Sequence, residues 1–369
     1  MFSTKNIRDN EVALYECVDR MVERMKEEAS TGRPVNVLNL GRSLAVDAVS
    51  THLFQQNYDG TSEKGNRLSV SAFVDAFVAV GRFFYLPGPV FVWLEWLLET
   101  LISEKHTIDS MAIVHKFVEN LVSATPRGAQ NYPGRLMTLG LETTEVISQC
   151  KDLVFAGTDS TGMNFATICR QLALNPDKYA LSLSIGHTFA DIEPRWEILR
   201  AEVLSNAKAG PSKKGRQELP YLTGVVKEGL RLSMANPTRL PHVVPGGGWD
   251  FKGTFFPAGA IVGCSAYELH FNPTAYPMAH SFQPERWLEG NVTAEANKHF
   301  YAFGVGARSC IARNLATVEL FMATERMAEA DALRGAKACQ DEVEIYEWFN
   351  SSVKGERIDL IWEEAKDDV

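Results

Sequence analysis

The 369-residue chain has no Cys-x-x-Cys pair and no His-Glu-x-x-His, and its 6 Cys and 8 His are scattered, so a zinc site has no support. Six cysteines in a chain of this length make no disulfide framework either; reduced thiols and an intracellular setting are expected. Cations are in deficit, with 37 Lys plus Arg against 46 Asp plus Glu and a net charge of −9. That balance excludes nucleic acid as the expected partner, because such binding rests on clustered basic residues. There is no Rossmann fingerprint, so no dinucleotide or flavin has a recognisable site. The opening residues, MFSTKNIRDN, hold neither a signal peptide nor a spanning segment. The most apolar stretch, Phe83 to Ile102, is broken by Pro87-Gly88-Pro89 and carries Glu95 and Glu99, so it is not read as crossing a bilayer. A pair of core helices joined by a turn is expected there, with a surface that dips into a membrane as the alternative.

What is present is ordinary globular composition, 45% hydrophobic and 22% charged, in a chain whose length alone suggests two or three domains. Helical spacing dominates the first two-thirds. Tyr15, Val18, Val22 and Met25 mark one helix, and others are expected over Leu40–Gln56, Ser69–Tyr85 and Thr107–Ser123. The longest run, Leu141 to Leu174, is on the order of 50 Å at the rise of an α-helix. Val146, Cys150, Leu153, Gly157, Thr161, Ile168 and Leu172 fall on one stripe of it, and Asn175-Pro176 is its stop. A helix this long, apolar without being membrane-like, should run through the middle of a large domain. Ala209–Gln217 reads as a solvated linker, Pro237–Tyr267 as short strands and turns, and Glu363–Val369 as a charged tail. The fold expected is one mainly α domain with small β-sheets.

Phe303-Gly304-Val305-Gly306-Ala307-Arg308-Ser309-Cys310 leads into Ile311-Ala312-Arg313-Asn314-Leu315-Ala316 and an amphipathic helix. Gly304 and Gly306 permit a tight loop whose backbone can approach a flat object. Cys310 enters the helix at the positive end of its dipole, a place that favours thiolate and suits a soft metal ligand. Arg308 can pair with a carboxylate in bidentate fashion, and Phe303 can cover the sulfur. An isolated Cys near a helix start is usually an inert buried thiol. The full F-G-x-G-x-R-x-C-x-x-x-x-L-A pattern, however, has a chance occurrence on the order of one in a hundred million per position.

This loop resembles the haem-binding loop of the cytochrome P450 family. The resemblance implies Cys310 as the axial thiolate of haem b and Arg308 as a propionate partner, with Ala312 where relatives usually carry Gly. Three further segments follow in the family's order. Ala156-Gly157-Thr158-Asp159-Ser160-Thr161 resembles the oxygen-activating segment, implying a helix bulge at Gly157, proton relay by Asp159 and Ser160, and a share of it for Thr161. Glu228, Arg231 and Arg286, in E-G-L-R and P-E-R-W, match a structural triad that locks the meander before the cysteine loop. Asn236 to Pro245 is similar to a strand bordering the substrate pocket, with His242 where relatives often place a propionate-binding Arg; Arg239 is the alternative. Apolar residues there, with Phe83–Leu86 and Phe349–Val353, are the expected substrate contacts.

The activity so implied is insertion of one oxygen atom of O₂ into a lipophilic small molecule, with electrons from a separate NADPH-cytochrome P450 reductase. The style resembles fungal microsomal members, which act on terpenes or polyketides in secondary metabolism and live on the endoplasmic reticulum membrane. Two departures stand out. No W-x-x-x-R motif precedes Met1–Arg8, and Trp196 and Arg200 have that spacing in the wrong place, so residues 1–369 are expected to form one haem-thiolate domain lacking its N-terminal part. Ala180–Arg195 interrupts a segment that relatives read continuously, and is expected to be translated intron sequence or else a surface loop. The competing expectations are a reductase-independent peroxygenase or isomerase on the same scaffold, and an inactive fragment.

Overall fold

The computed structural model describes residues 1–64, 68–81, 86–101, 105–174 and 195–363. Helices come first: α1 (Thr4–Asp9), α2 (Glu11–Ala29), then a short strand β1 (Val35–Asn36), α3 (Val37–Val49), α4 (Ser71–Val80), α5 (Gly88–Leu101), α6 (Lys105–Ala124), α7 (Tyr132–Thr138) and α8 (Thr143–Ala173). Next are α9 (Arg195–Ala207), α10 (Pro220–Leu232), β2 (Arg239–Val243), β3 (Trp249–Phe251), β4 (Thr254–Phe256), β5 (Ile261–Ser265) and α11 (Ala266–His270). The chain then forms α12 (Ala294–His299), α13 (Arg313–Glu329), β6 (Ala336–Ala338), β7 (Ile345–Glu347), β8 (Ser351–Val353) and β9 (Asp359–Trp362).

The long helix α8 begins two residues later than its apolar stripe suggests, because Glu142 caps it: the Glu142 N–H donates to the Glu145 carboxylate at 2.9 Å. It ends at Leu174, whose backbone is extended. From Thr161 to Arg170 it is buried on every face, as a helix at the centre of a fold must be. Its main neighbour is α3, buried throughout Val37–Val49. Glycines set that crossing: a methyl group built on Gly41 would stand 2.7 Å from the Gly162 carbonyl oxygen, and one on Gly162 would stand 2.9 Å from the Arg42 nitrogen. The two backbones therefore touch where side chains would hold them apart. Gly41→Val should cost on the order of 3 kcal/mol, as overpacking against backbone cannot relax by a rotamer change. Urea unfolding would register it as a lowered midpoint with an unchanged slope.

The expected Leu40–Gln56 helix is α3 followed by a π-helical turn at Ser50–Phe54, closed by Gln55 in the left-handed region (φ 57°). The β content is small and antiparallel: β9 pairs with both β1 (Val35↔Leu360) and β6 (Ala336↔Trp362), while β2–β5, β3–β4 and β7–β8 are two-stranded. One apolar core is continuous from Ile7 to Leu360, with a satellite around Tyr276 and Trp287.

Residues 88–101 correct one expectation. They form the helix α5, but Val92 (61% exposed), Trp93 (56%) and Trp96 (60%) face outward, so it is not a core helix. Among the described residues, no helix is long and apolar enough to cross a membrane. Phe83–Tyr85, Ala180–Pro194 and residues 364–369 lie outside the described residues; Arg195 opens α9. Trp196 is buried and donates to Asp331 Oδ1 at 3.2 Å, and Arg200 pairs with the same carboxylate at 3.1 Å. Their shared spacing serves to tie α9 to the end of α13.

Candidate functional site

The cysteine loop folds as its glycines demand. Gly304 (φ 66°) and Gly306 (φ 76°) adopt left-handed backbone that other residues enter only with strain, and a 3₁₀ turn follows at Gly306–Arg308. The turn is closed by the Cys310 N–H donating to the Phe303 carbonyl at 2.8 Å. Helix α13 starts three residues after Cys310, and the backbone N–H groups of Ala312 and Arg313 point at its sulfur. The helix-start placement is as anticipated, but the expected thiolate bias is not. Cys310 opens onto a cavity, yet enough protein surrounds its sulfur for burial to push the thiol above its usual range, outweighing the two N–H groups and Arg313. A cation at the sulfur is what would restore the thiolate.

That cavity, of about 270 Å³, lies between α8 and the loop. Gly157, Ser160 and Thr161 line it from α8, and Phe303, Gly304, Arg308 and Cys310 from the loop. Across it the walls are largely apolar, with Leu230, Leu240 and Phe349 among them. Among the described residues, no group of three or more His, Cys, Asp or Glu could hold a metal ion. A metal at Cys310 must therefore bring most of its own ligands, in a body that is mainly apolar and carries an anionic group for Arg308. Haem has that chemistry, and the donor set fits it.

Other expected site residues stand elsewhere. Gly306 is exposed and off the cavity wall. His242 is exposed on β2, where its ring Nδ1 lies 3.0 Å from the Leu240 carbonyl, so its placement gives no support to a propionate role. Asp159 is buried but turned away from the cavity: Arg42 Nη2 donates to its Oδ1 at 2.7 Å, and Asn350 Nδ2 lies 3.5 Å from Oδ2. Arg42 also pairs with Asp75 of α4 at 3.0 Å. A buried carboxylate and guanidinium so close hold each other, because separating them would leave each charge unpaired in protein. Ser160 and Thr161 thus reach the cavity without the acid expected beside them; Ser160 Oγ donates to the Ala156 carbonyl at 3.2 Å. Gly157 shows why α8 needs glycine there: an added methyl would lie 2.5 Å from Val49 Cγ2.

The structure joins Glu228, Arg231 and Arg286. Arg231 grips Glu228 with Nε at 2.9 Å and Nη2 at 2.8 Å, and Arg286 Nε donates to Glu228 Oε1 at 2.9 Å. Trp287 Nε1 (2.9 Å) and the Gln283 N–H (3.0 Å) complete the carboxylate's shell. Arg231 reaches on to the carbonyls of His270 (2.8 Å) and Ala279 (2.7 Å), fixing the meander.

His270, absent from every sequence motif, links this cluster to the cysteine loop. Its Nδ1 donates to the Arg231 carbonyl at 2.9 Å, and its Nε2 accepts the Tyr301 N–H at 2.8 Å. Burial lowers its pKa from 6.5 to about 4, only partly opposed by the Arg231 carbonyl, which favours the charged ring. The unfolded chain therefore binds the extra proton between these values, and stability present above about pH 6.5 is lost as pH falls toward 4. The group contributes about 3 kcal/mol at most. Acid unfolding of the wild type against His270→Gln checks this: the variant should have a shallower fall of stability over that window, and equal slopes would refute it.

Sequence reasoning also missed Arg42, Asn164 and Glu319. Asn164 and Ser233 hydrogen-bond each other in the cavity wall, joining α8 to the end of α10. Glu319 lies nine residues past Cys310 on the helix stripe of Ala312, Leu315 and Ala316, which helical spacing could have flagged.

The family model for cytochrome P450 matches residues 1–329. The monooxygenase mfmF of Annulohypoxylon moriforme is 30% identical over 371 aligned positions, covering 94% of this chain and 70% of that protein. The monooxygenase macH of Penicillium terrestre, also 30% identical, covers 88% of this chain, which spans 64% of macH. Fusicoccadiene C-8 hydroxylase of Alternaria brassicicola is 33% identical over 51% of this chain and 33% of its own length. Among solved structures, a cytochrome P450 (CYP102L1) superposes with a TM-score of 0.72 over 98% of this chain and 78% of its own, at 16% identity; this likeness concerns the fold.

Proposed function

Because the chain belongs to the cytochrome P450 family of monooxygenases, we propose that it is a haem-thiolate oxidoreductase that inserts one oxygen atom of O₂ into a lipophilic small molecule of secondary metabolism, of terpene or polyketide type. The observation that carries the reading is the facing of Cys310 and the Gly157–Thr161 segment across one largely apolar cavity.

When bound, haem b supplies the oxygen-activating chemistry. The chain supplies the surroundings. Cys310 offers a thiol sulfur aligned by the Ala312 and Arg313 N–H groups. Arg308 offers a guanidinium to a carboxylate. Ser160 and Thr161 present hydroxyls on the opposite wall, and Leu230, Leu240 and Phe349 exclude water and suit an apolar substrate. The buried Glu228–Arg231–Arg286 cluster and His270 hold the loop that carries Cys310. An NADPH-cytochrome P450 reductase is the proposed electron donor, and residues 1–369 the proposed haem domain.

The test is to express the chain with a haem precursor, reduce it, add CO and record the Soret band, where a thiolate-type shift is expected. Turnover of apolar substrates with NADPH and reductase, compared with peroxide alone, separates a monooxygenase from a peroxygenase. Absence of any thiolate-type band in haem-loaded protein would overturn the reading.

A further inference from the structure

Asp159 is turned away from the cavity, yet it acts on one atom of the cavity wall through two asparagines. Arg42 holds Asp159 Oδ1 at 2.7 Å, which leaves Oδ2 to Asn350, whose Nδ2 donates to it at 3.5 Å. A carboxylate only accepts, so Asn350 turns its NH₂ to Asp159 and its carbonyl oxygen the other way. That oxygen accepts from Asn236 Nδ2 at 3.2 Å. The second hydrogen of the same NH₂ goes to the Phe349 carbonyl at 3.4 Å, another group that only accepts. Asn236 is half-buried and lines the cavity. Both hydrogens of its amide are thus spent between β7 and β8. Its Oδ1, which has no hydrogen-bond partner among the described residues, is the atom left over.

The backbone on either side of Asn236 is pinned. The Ser351 N–H donates to the Ala235 carbonyl at 3.0 Å, and Ser265 Oγ donates to the Pro237 carbonyl at 2.7 Å. Asn350 is buried, and Arg42 is itself braced by Asp75 at 3.0 Å. Turning over the Asn350 amide would set its oxygen against the Asp159 carboxylate. Turning over Asn236 would set its oxygen against the Phe349 carbonyl. Each change leaves two acceptors face to face and a donor unused. The walls around this acceptor, Leu230, Leu240 and Phe349 among them, are apolar, so one fixed polar atom can orient an otherwise lipophilic guest.

We propose that Asn236 Oδ1 is a specificity determinant of this cavity, selecting a lipophilic molecule that carries a hydroxyl over its carbonyl counterpart. Asp159 is its positioning residue, setting the polarity of Asn236 through Asn350. The guest's O–H donates to Oδ1, whereas a ketone can only oppose it. That such a molecule is a substrate rests on the haem-thiolate function proposed above; that the cavity prefers it does not.

Equilibrium dialysis of apo and haem-loaded protein against matched alcohol and ketone pairs tests this, with menthol against menthone and cyclododecanol against cyclododecanone. The wild type should bind each alcohol about tenfold more tightly than its ketone. Asn236→Leu keeps the volume and loses the acceptor, so the two affinities should become equal with that for the ketone unchanged. Asp159→Asn keeps the shape but shows an NH₂ to Asn350. Both asparagines then turn over, Asn236 presents its NH₂ to the cavity, and the preference should move toward the ketone. Loss of packing alone would not reverse a preference. Equal affinities in the wild type, an alcohol preference that survives in Asn236→Leu, or no binding of any of these molecules overturns the assignment. An unchanged preference in Asp159→Asn overturns the positioning role. If that variant does not fold, Asn350→Leu replaces it, and the alcohol preference should fall by about threefold or more. Absence of the thiolate Soret with the alcohol preference intact would count against the haem reading and leave this assignment standing.

Discussion

Glu228→Ala should lower the stability of the fold by about 3–5 kcal/mol. The Glu228 carboxylate receives Arg231 Nε and Nη2, Arg286 Nε, Trp287 Nε1 and the Gln283 N–H, and both Glu228 and Arg231 are fully buried. Removing one partner of a buried ion pair costs about 3–5 kcal/mol, because the remaining charge has neither water nor a counter-ion. Domains have only about 5–15 kcal/mol in hand, so this one change can take most of it. Glu228→Gln should be milder, since one amide oxygen still accepts, although two donors of its NH₂ face the guanidinium. Urea unfolding followed by circular dichroism tests the order wild type, Gln, Ala. The idea fails if Glu228→Ala keeps its midpoint within about 1 kcal/mol of the wild type. Replacing Glu228, Arg231 and Arg286 together by apolar residues should cost less than Glu228→Ala alone, because no charge is left unpaired.

Cys310→Ser has the opposite profile. The change swaps one atom at a position open to the cavity, and the loop is held by backbone geometry at Gly304 and Gly306 and by the Cys310 N–H to Phe303 bond, none of which needs sulfur. The unfolding midpoint should stay within about 0.5 kcal/mol of the wild type. The reduced, CO-treated protein, however, should lose the thiolate-type Soret entirely, and turnover with reductase should fall to background. A hydroxyl ionises far less readily than a thiol and is a harder ligand, so it cannot stand in for the soft sulfur. Retention of the thiolate-type band in Cys310→Ser would show that another sulfur binds. Cys264 and Cys339, both exposed, would then be the next residues to replace. The pair of variants separates what builds the site from what the site does.

Local pattern was enough for much of this molecule. The apolar stripe of α8, the glycines of the cysteine loop and the three-residue spacing of Glu228 and Arg231 are all short-range, and each dictates its own backbone geometry. Helix period, left-handed glycine and same-face pairing need no knowledge of distant residues. The element boundaries that missed did so where a neighbour intervened, as at the Glu142 cap and the π-helical turn after Val49. The apolar character of Val92, Trp93 and Trp96 suggested core, but burial is a property of what packs against a helix and not of its composition.

The acids make the same division sharper. In the sequence Asp159 stands beside Ser160 and Thr161 and resembles a family relay, whereas Glu319 is one more glutamate in a charged helix. Only the packed fold brings Arg42 across 117 residues to bind Asp159, and only the fold buries Glu319, whose carboxyl oxygens have no hydrogen-bond partner among the described residues. The sequence by itself determined the family, the glycine-bounded cysteine loop and the Glu228–Arg231 pairing, because these reside in nearby residues whose geometry is local. Which buried carboxyl is paired with a cation and which stands without a hydrogen-bond partner among the described residues was decided by tertiary structure alone, because those partners come from chain segments far away in sequence.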